Sequence, residues 1–236
     1  MDKRCVVICD SGIGGLRLLK KLQVRFPNEN FVYFADYKNL PYGEKSKGEL
    51  FEIAEENYNK ASKFSPKLVV FACNTLSTNV LPYFPQKQVR VMGVYPEVSV
   101  GKGILLCTLG TAKSQYVKDL KLQNDNLDVL ALKSFASQIE NVSRYGGEFS
   151  LDELNDCELK KYDYVSLGCT HYPYAENYLR KIFKKTPFIS GESRTFDKIE
   201  FFLTTNDAGE QNGSVSFVGS GCENLKNLYN KGIFII

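Results

Sequence analysis

Val69-Val70-Phe71-Ala72-Cys73-Asn74-Thr75 and Val165-Ser166-Leu167-Gly168-Cys169-Thr170-His171 are two largely apolar runs, each ending in a cysteine with a threonine close behind it. Short apolar runs bounded by polar or small residues read as strands buried on both faces, which is the habit of parallel sheets. Each cysteine then falls at the C-terminal end of its strand. In open α/β sheets that edge is where ligands bind.

Outward from these runs the chain alternates strand and helix, and the alternation occurs twice. In the first pass Cys5–Cys9 reads as a strand, Asp10-Ser11-Gly12-Ile13-Gly14-Gly15 as a turn, and Leu16–Arg25 as a helix with leucines at 16, 18, 19 and 22. Phe31–Phe34 is the next strand, Asp36–Gly43 a loop, and Lys47–Phe64 a helix by its apolar spacing. The strand feeding Cys73 precedes a helix over Thr75–Leu81, stopped by Pro82, and Val89–Val94 is a further strand. In the second pass Ile104–Cys107 is a strand, Thr108-Leu109-Gly110-Thr111 opens a helix, and Val129–Leu132 is a strand. The strand feeding Cys169 leads to a helix over Tyr174–Phe183. Phe188–Ile236 holds one or two helices and a strand at Ser214–Val218. Such alternation predicts an α/β fold with parallel sheets and right-handed crossovers. The repeat predicts two similar domains related by pseudo-symmetry, one of residues 1–94 with 187–236 and the other of 95–186, with the site in the cleft between them.

Composition narrows the class. The 236 residues are 43% hydrophobic and 24% charged, ordinary for a globular protein. A formal charge of +3, with lysines spread along the chain, gives no reason to expect a nucleic-acid partner. No apolar stretch approaches the roughly 20 residues that a membrane helix needs, so no membrane partner is expected. Seven cysteines without a CxxC pair, beside a single histidine, argue against a disulfide framework and against a zinc site. A reducing, cytoplasmic setting and no metal are the expectation.

The turn Asp10–Gly15 is not GxGxxG, and no acid ends the second strand as a dinucleotide site requires. Its glycines can bring N–H groups to an anion, or Asp10 can cap the helix; the sequence leaves both open. Cys5, Cys9, Cys107, Cys157 and Cys222 read as small core hydrophobes. Cys73 and Cys169 differ, because each stands between a strand and a helix start, where a thiolate is favoured. His171, two residues beyond Cys169, is a candidate acid–base partner. Acyl transfer needs one nucleophilic cysteine with a base and an orienting group. Two matched thiols suit proton transfer better: one takes a proton from one face of a carbon, and the other returns a proton to the opposite face. Asn74, Thr75, Thr111 and Thr170 can hold the charged groups of a small amino acid.

Asp10-Ser11-Gly12-x-Gly14-Gly15, Asp36 with Pro41-Tyr42-Gly43, Cys73-Asn74-Thr75, Thr108-x-x-Thr111-x-x-Ser114 and Gly168-Cys169-Thr170-His171-Tyr172-Pro173 stand in the order seen in glutamate racemases, which the chain resembles over nearly its whole length. The resemblance implies a cofactor-independent isomerase that interconverts L- and D-glutamate and supplies D-glutamate for peptidoglycan. By position it makes Cys73 the base toward D-glutamate and Cys169 the base toward L-glutamate, with Asp10 assisting the first thiol and His171 the second. Glu140, five residues after Phe135, matches a third helper. Ser11, Tyr42, Gly43, Asn74, Thr75, Thr111 and Thr170 would line the substrate site, and a homodimer is expected. Related racemases acting on aspartate carry Glu after the second Cys-Thr, so His171 favours glutamate. Another cysteine-dependent racemase or decarboxylase of the superfamily, or a binding module on the same fold, are the alternatives. The chain departs from the family pattern at Leu76, at Asn39 and in the Glu140 segment, which lacks its prolines.

Overall fold

The computed structural model describes residues 4–148, 150–157, 161–206, 213–219 and 221–231. In the first half, β1 (Val6–Asp10), α1 (Leu16–Arg25), β2 (Phe31–Ala35), α2 (Lys47–Ser62), β3 (Leu68–Phe71), α3 (Asn74–Val80) and β4 (Arg90–Gly93) follow in order. The second half contains β5 (Gly103–Cys107), α4 (Leu109–Ala112), α5 (Gln115–Gln123), β6 (Leu127–Ala131), α6 (Phe135–Tyr145), β7 (Tyr164–Gly168), α7 (Glu176–Phe183) and β8 (Phe188–Ile189). The chain then returns to the first half with α8 (Glu192–Thr205), β9 (Val215–Gly219) and α9 (Cys222–Lys231).

Both sheets are parallel throughout. The first has the order β4-β3-β1-β2-β9; the second, read from its far edge, runs β8-β7-β5-β6. Four strands therefore recur in the same order, and β9 is an addition to the first sheet. This is the expected two-sheet α/β architecture with its pseudo-symmetry. β1, β2, β3, β5 and β7 are buried along their whole length, as their largely apolar sequences require. α1 turns Leu16, Leu18, Leu19 and Leu22 inward, and burial of each contributes about 2 kcal/mol. Ser46 and Glu49 close a reciprocal cap at the start of α2.

The expected division put residues 187–236 in the first half. Phe188–Ile189 instead pair with Val165 and Ser166 of β7, so the second sheet runs past residue 186. Residues 1–3 and 232–236 of that division lie outside the described residues. The helix expected to open at Thr108 is two helices, because Ser114 starts a new cap: the Val117 N–H bonds its hydroxyl at 3.3 Å. Tyr172–Ala175 form a 3-10 turn ahead of α7, with Pro173 in its first turn. Asp10 caps no helix. It is the last residue of β1, and α1 begins six residues later, behind Gly15.

Candidate active site

Strand ends deliver the two cysteines to one place. Cys73 follows β3 and is the cap residue of α3; Cys169 follows β7 directly. Their residues are only 8% and 7% exposed, yet both line a single small cavity of about 30 Å³ between the halves. Ser11, Tyr42, Gly43, Asn74, Thr75, Thr170 and His171 line it as well. Asp10, Glu140 and Thr111 stand one layer behind and do not border the cavity. Among the described residues no cluster of three metal-ligating side chains occurs.

The buried charges are distributed unequally around the thiols. Asp10 accepts from the Gly12 N–H at 2.9 Å and from the Thr170 hydroxyl at 3.3 Å, a bond that crosses the cleft. Burial pushes the Asp10 carboxyl up to about 6, against the pull of His171 and the Gly12 N–H. Burial, followed by the Asp10 charge, also raises the Cys73 thiol, so this sulfur is held protonated near neutral pH. On the other side His171 Nδ1 lies 3.9 Å from Cys169 Sγ, and Nε2 lies 2.9 Å from Glu140 Oε2. Burial opposes charge on His171, but its bonds to Cys169 and Glu140 outweigh burial and raise the imidazole well above its ordinary 6.5. In that state both ring N–H groups donate, one to the sulfur and one to the carboxylate. Glu140 is lowered despite burial, chiefly by the His171 bond.

Glu140 does a second job. Its Oε2 accepts the Ile13 N–H at 2.9 Å, tying α6 of the second half to the Asp10–Gly15 turn of the first. That turn needs glycine for space: a Cβ on Gly12 would lie 2.2 Å from Glu140 Oε2, and one on Gly14 would lie 2.3 Å from Thr170 Oγ1. The Tyr33 hydroxyl donates to Gly12 O at 2.8 Å and accepts from the Gly15 N–H at 3.1 Å, which fixes the turn from below.

The facing wall is built from hydroxyls. Thr75 Oγ1 lies 2.8 Å from Thr108 Oγ1 and 3.2 Å from Thr111 Oγ1. Thr108 also borders the cavity, and sequence reasoning missed it as a site residue because its role depends on Thr75 reaching it across the cleft. Lys133 and Ser137 were missed likewise; an exposed lysine reads as a solvated surface. Asn74 Nδ2 is buried and has no protein partner, so a donor faces the cavity unspent. Tyr42 is held by Asp36 at 2.7 Å and Asn57 at 2.8 Å. The departures from the family pattern find structural uses: Asn39 donates to Asp36 at 2.8 Å, and Leu76 is buried in the core beneath Cys73.

No family model matches the chain. Individual relatives do. The chain is 32% identical to glutamate racemase 2 of Bacillus subtilis (strain 168), across 90% of this chain and 87% of that one. It is 34% identical to the glutamate racemase of Carboxydothermus hydrogenoformans, across 97% and 92%. Among solved structures, Escherichia coli glutamate racemase in complex with L-glutamate and the activator UDP-MurNAc-Ala superposes with a TM-score of 0.81 at 26% identity, covering 97% of this chain and 95% of that one. Campylobacter jejuni glutamate racemase gives 0.77 at 26% identity, covering 97% of each. With this extent of likeness in both sequence and fold, the chain belongs to the glutamate racemase family, a family of isomerases.

Proposed function

We propose that the protein interconverts L- and D-glutamate by proton transfer between two thiols, without a cofactor. The observation that carries this reading is the single cavity bordered by both Cys73 and Cys169, with Asp10 behind one and the His171–Glu140 pair behind the other. For L-glutamate, Cys169 as thiolate removes the α-proton while Cys73, held as a thiol by burial, gives its proton to the opposite face. The sulfurs exchange protonation states in that step, so the reverse reaction starts from the product state with no other change. Asp10 takes up the Cys73 proton when that sulfur must act as base, and His171 serves Cys169 in the same way. The carbanion that develops at the α-carbon draws on fixed donors, the Asn74 amide and the hydroxyls of Thr75 and Thr108.

The purified protein should bring L-glutamate and D-glutamate to the same optical rotation with nothing added. In D₂O the product should carry deuterium at the α-carbon. No change in rotation, or product free of deuterium, ends this reading. We further propose that the reaction supplies D-glutamate to peptidoglycan in the cytoplasm. Expression of the chain should then let bacteria that cannot make D-glutamate grow without it, and failure to do so with active protein present counts against that role.

A further inference from the structure

Glu140 Oε2 carries two bonds, one from the Ile13 N–H and one shared with His171 Nε2, each 2.9 Å long. Its other oxygen, Oε1, is buried and meets no partner among the described residues with the geometry of a full hydrogen bond. The hydroxyl oxygen of Tyr37 is buried in the same condition. Polar atoms left over in this way are uncommon in protein interiors. Tyr37 opens the 3-10 turn behind β2, in the first half, and its side chain meets α6 of the second. Arg144 stands one helical turn beyond Glu140 on α6, and its guanidinium carbon lies 4.3 Å from the centre of the Tyr37 ring. The β9–α9 turn bounds the ring as well: a Cβ on Gly221 would lie 3.2 Å from Tyr37 Cδ2. The ring is thus set against the part of α6 that carries Glu140. Burial, then the Glu140 charge and a hydrogen-bonding contact with it, push the phenol up. A protonated phenol facing a carboxylate can only donate. The same contact helps to lower the Glu140 carboxyl against burial, behind the larger effects of His171 and the Ile13 N–H.

We propose that Tyr37 is a positioning residue for the racemisation: its hydroxyl donates to Glu140 Oε1 and stops the carboxylate from turning, so that Oε2 stays on His171. The inference rests on the two-thiol reading above, in which His171 serves Cys169. A carboxylate anchored at one oxygen can swing about its own axis and exchange its two oxygens. With Oε1 also held, Nε2 of the imidazole meets one fixed acceptor, and Nδ1 stays directed at the Cys169 sulfur 3.9 Å away. Tyr37 does not border the cavity, so it acts on that thiol only through Glu140 and His171.

The test is a cycle of Tyr37→Phe, Glu140→Gln and the double variant. Phenylalanine keeps the ring beneath Arg144 and beside Gly221 and removes only the hydroxyl. Tyr37→Phe should lower kcat for L-glutamate roughly tenfold, the effect of losing one hydrogen bond to a charged group. KM for L-glutamate should stay within about twofold, because Tyr37 does not touch the substrate. In the Glu140→Gln background the same change should cost less than about twofold, since the carboxylate it serves is gone. The Nε2 proton of His171, the chain's only histidine, gives a second readout by NMR. In Tyr37→Phe it should exchange with water faster, by roughly the same tenfold factor. An unchanged rate and an unchanged Nε2 proton in Tyr37→Phe overturn the assignment, with racemisation intact. A loss as large in the Glu140→Gln background as in the unmodified protein also overturns it, because Tyr37 would then act by another route. Unmodified protein that does not racemise glutamate overturns the function and with it this role in catalysis, while the Nε2 proton still shows whether the hydroxyl holds Glu140.

Discussion

Two cysteines of the same residue type sit in unlike electrostatic surroundings, and that difference sets what each substitution should do. Cys73→Ser and Cys169→Ser should each abolish turnover in both directions, because an alkoxide is far less accessible than a thiolate at neutral pH. Stopped racemisation with retained substrate binding is the expected pattern, and full activity in either variant would remove the two-thiol mechanism. Asp10→Asn and His171→Asn should act unevenly on kcat. Loss of Asp10 should slow the D-to-L direction more, and loss of His171 the L-to-D direction, by about 10²–10⁴-fold each. The ratio of the two kcat/KM values stays fixed by the overall equilibrium, so KM must shift in compensation. Equal, mild losses in both directions would make these residues structural only. Asp10 also has a stability signature. Its folded carboxyl, raised to about 6 from an ordinary 3.8, holds a proton that the unfolded chain has already released. Stability therefore falls as pH rises from about 4 to 6, by on the order of 3 kcal/mol. Urea titrations across that range should show this decline, and Asp10→Asn should lack it.

At the scale of elements, α6 carries the most information per residue. Its Glu140 is buried, takes the Ile13 N–H and holds His171, so one carboxylate couples the turn of one half to the acid–base pair of the other. His171 is the chain's only histidine, so a single imidazole signal reports on the pair. In an NMR titration it should stay charged well above 6.5, and Glu140→Gln should bring it down. A His171 raised by its partners adds stability that is full below about 6.5 and lost as pH rises through the folded value. Glu140→Gln should weaken that pH dependence too, with the Cys169 bond remaining; a titration near 6.5 in both proteins would contradict the charged pair. The sequence made the buried strands legible because β1, β3, β5 and β7 are apolar along most of their length, and strand ends then located both cysteines. It made α6 harder to read. Phe135, Ile139 and Val142 stand at helical spacing in it, but the buried Glu140 among Gln138, Asn141 and Ser143 reads as part of a solvated face. β8 is only two residues long and exists through its pairing with β7, a long-range fact that no local pattern carries. Thr108 was legible as a helix cap, which it is, but not as part of the cleft wall.

The whole molecule must open to work. A cavity of about 30 Å³ is far below the roughly 300 Å³ at which small-molecule pockets begin. Opening has to separate Thr75 from Thr108 and Asn79 from Gly110, contacts that each join the two halves. The chain crosses between the sheets twice, from β4 to β5 and from β8 to α8, and the two crossings touch. Gly191 packs so closely on Tyr95 that an added Cβ would fall 1.6 Å from the Tyr95 carbonyl oxygen, and Thr195 Oγ1 donates to Gly93 O at 3.3 Å beside it. Gly191 has an ordinary backbone conformation, φ −68°, so alanine there meets a problem of space and not of torsion. The obstacle is backbone, which cannot rotate aside as a side chain can. Gly191→Ala should therefore push the crossings apart and tilt one half against the other. The expected cost is about 1–3 kcal/mol in stability, as for other overpacked sites. Activity should fall further than stability alone explains, because the two sulfurs are positioned from opposite halves and a misplacement of about 1 Å can cost on the order of 10²-fold in rate. Gly48→Ala serves as the control: it lies in the first turn of α2 with no atom within 4 Å of the added Cβ, and should leave activity unchanged and stability equal or slightly higher. Thermal unfolding, far-ultraviolet dichroism and racemisation rates on both variants distinguish the outcomes. A Gly191→Ala protein with full activity would mean that the crossings do not set the cleft.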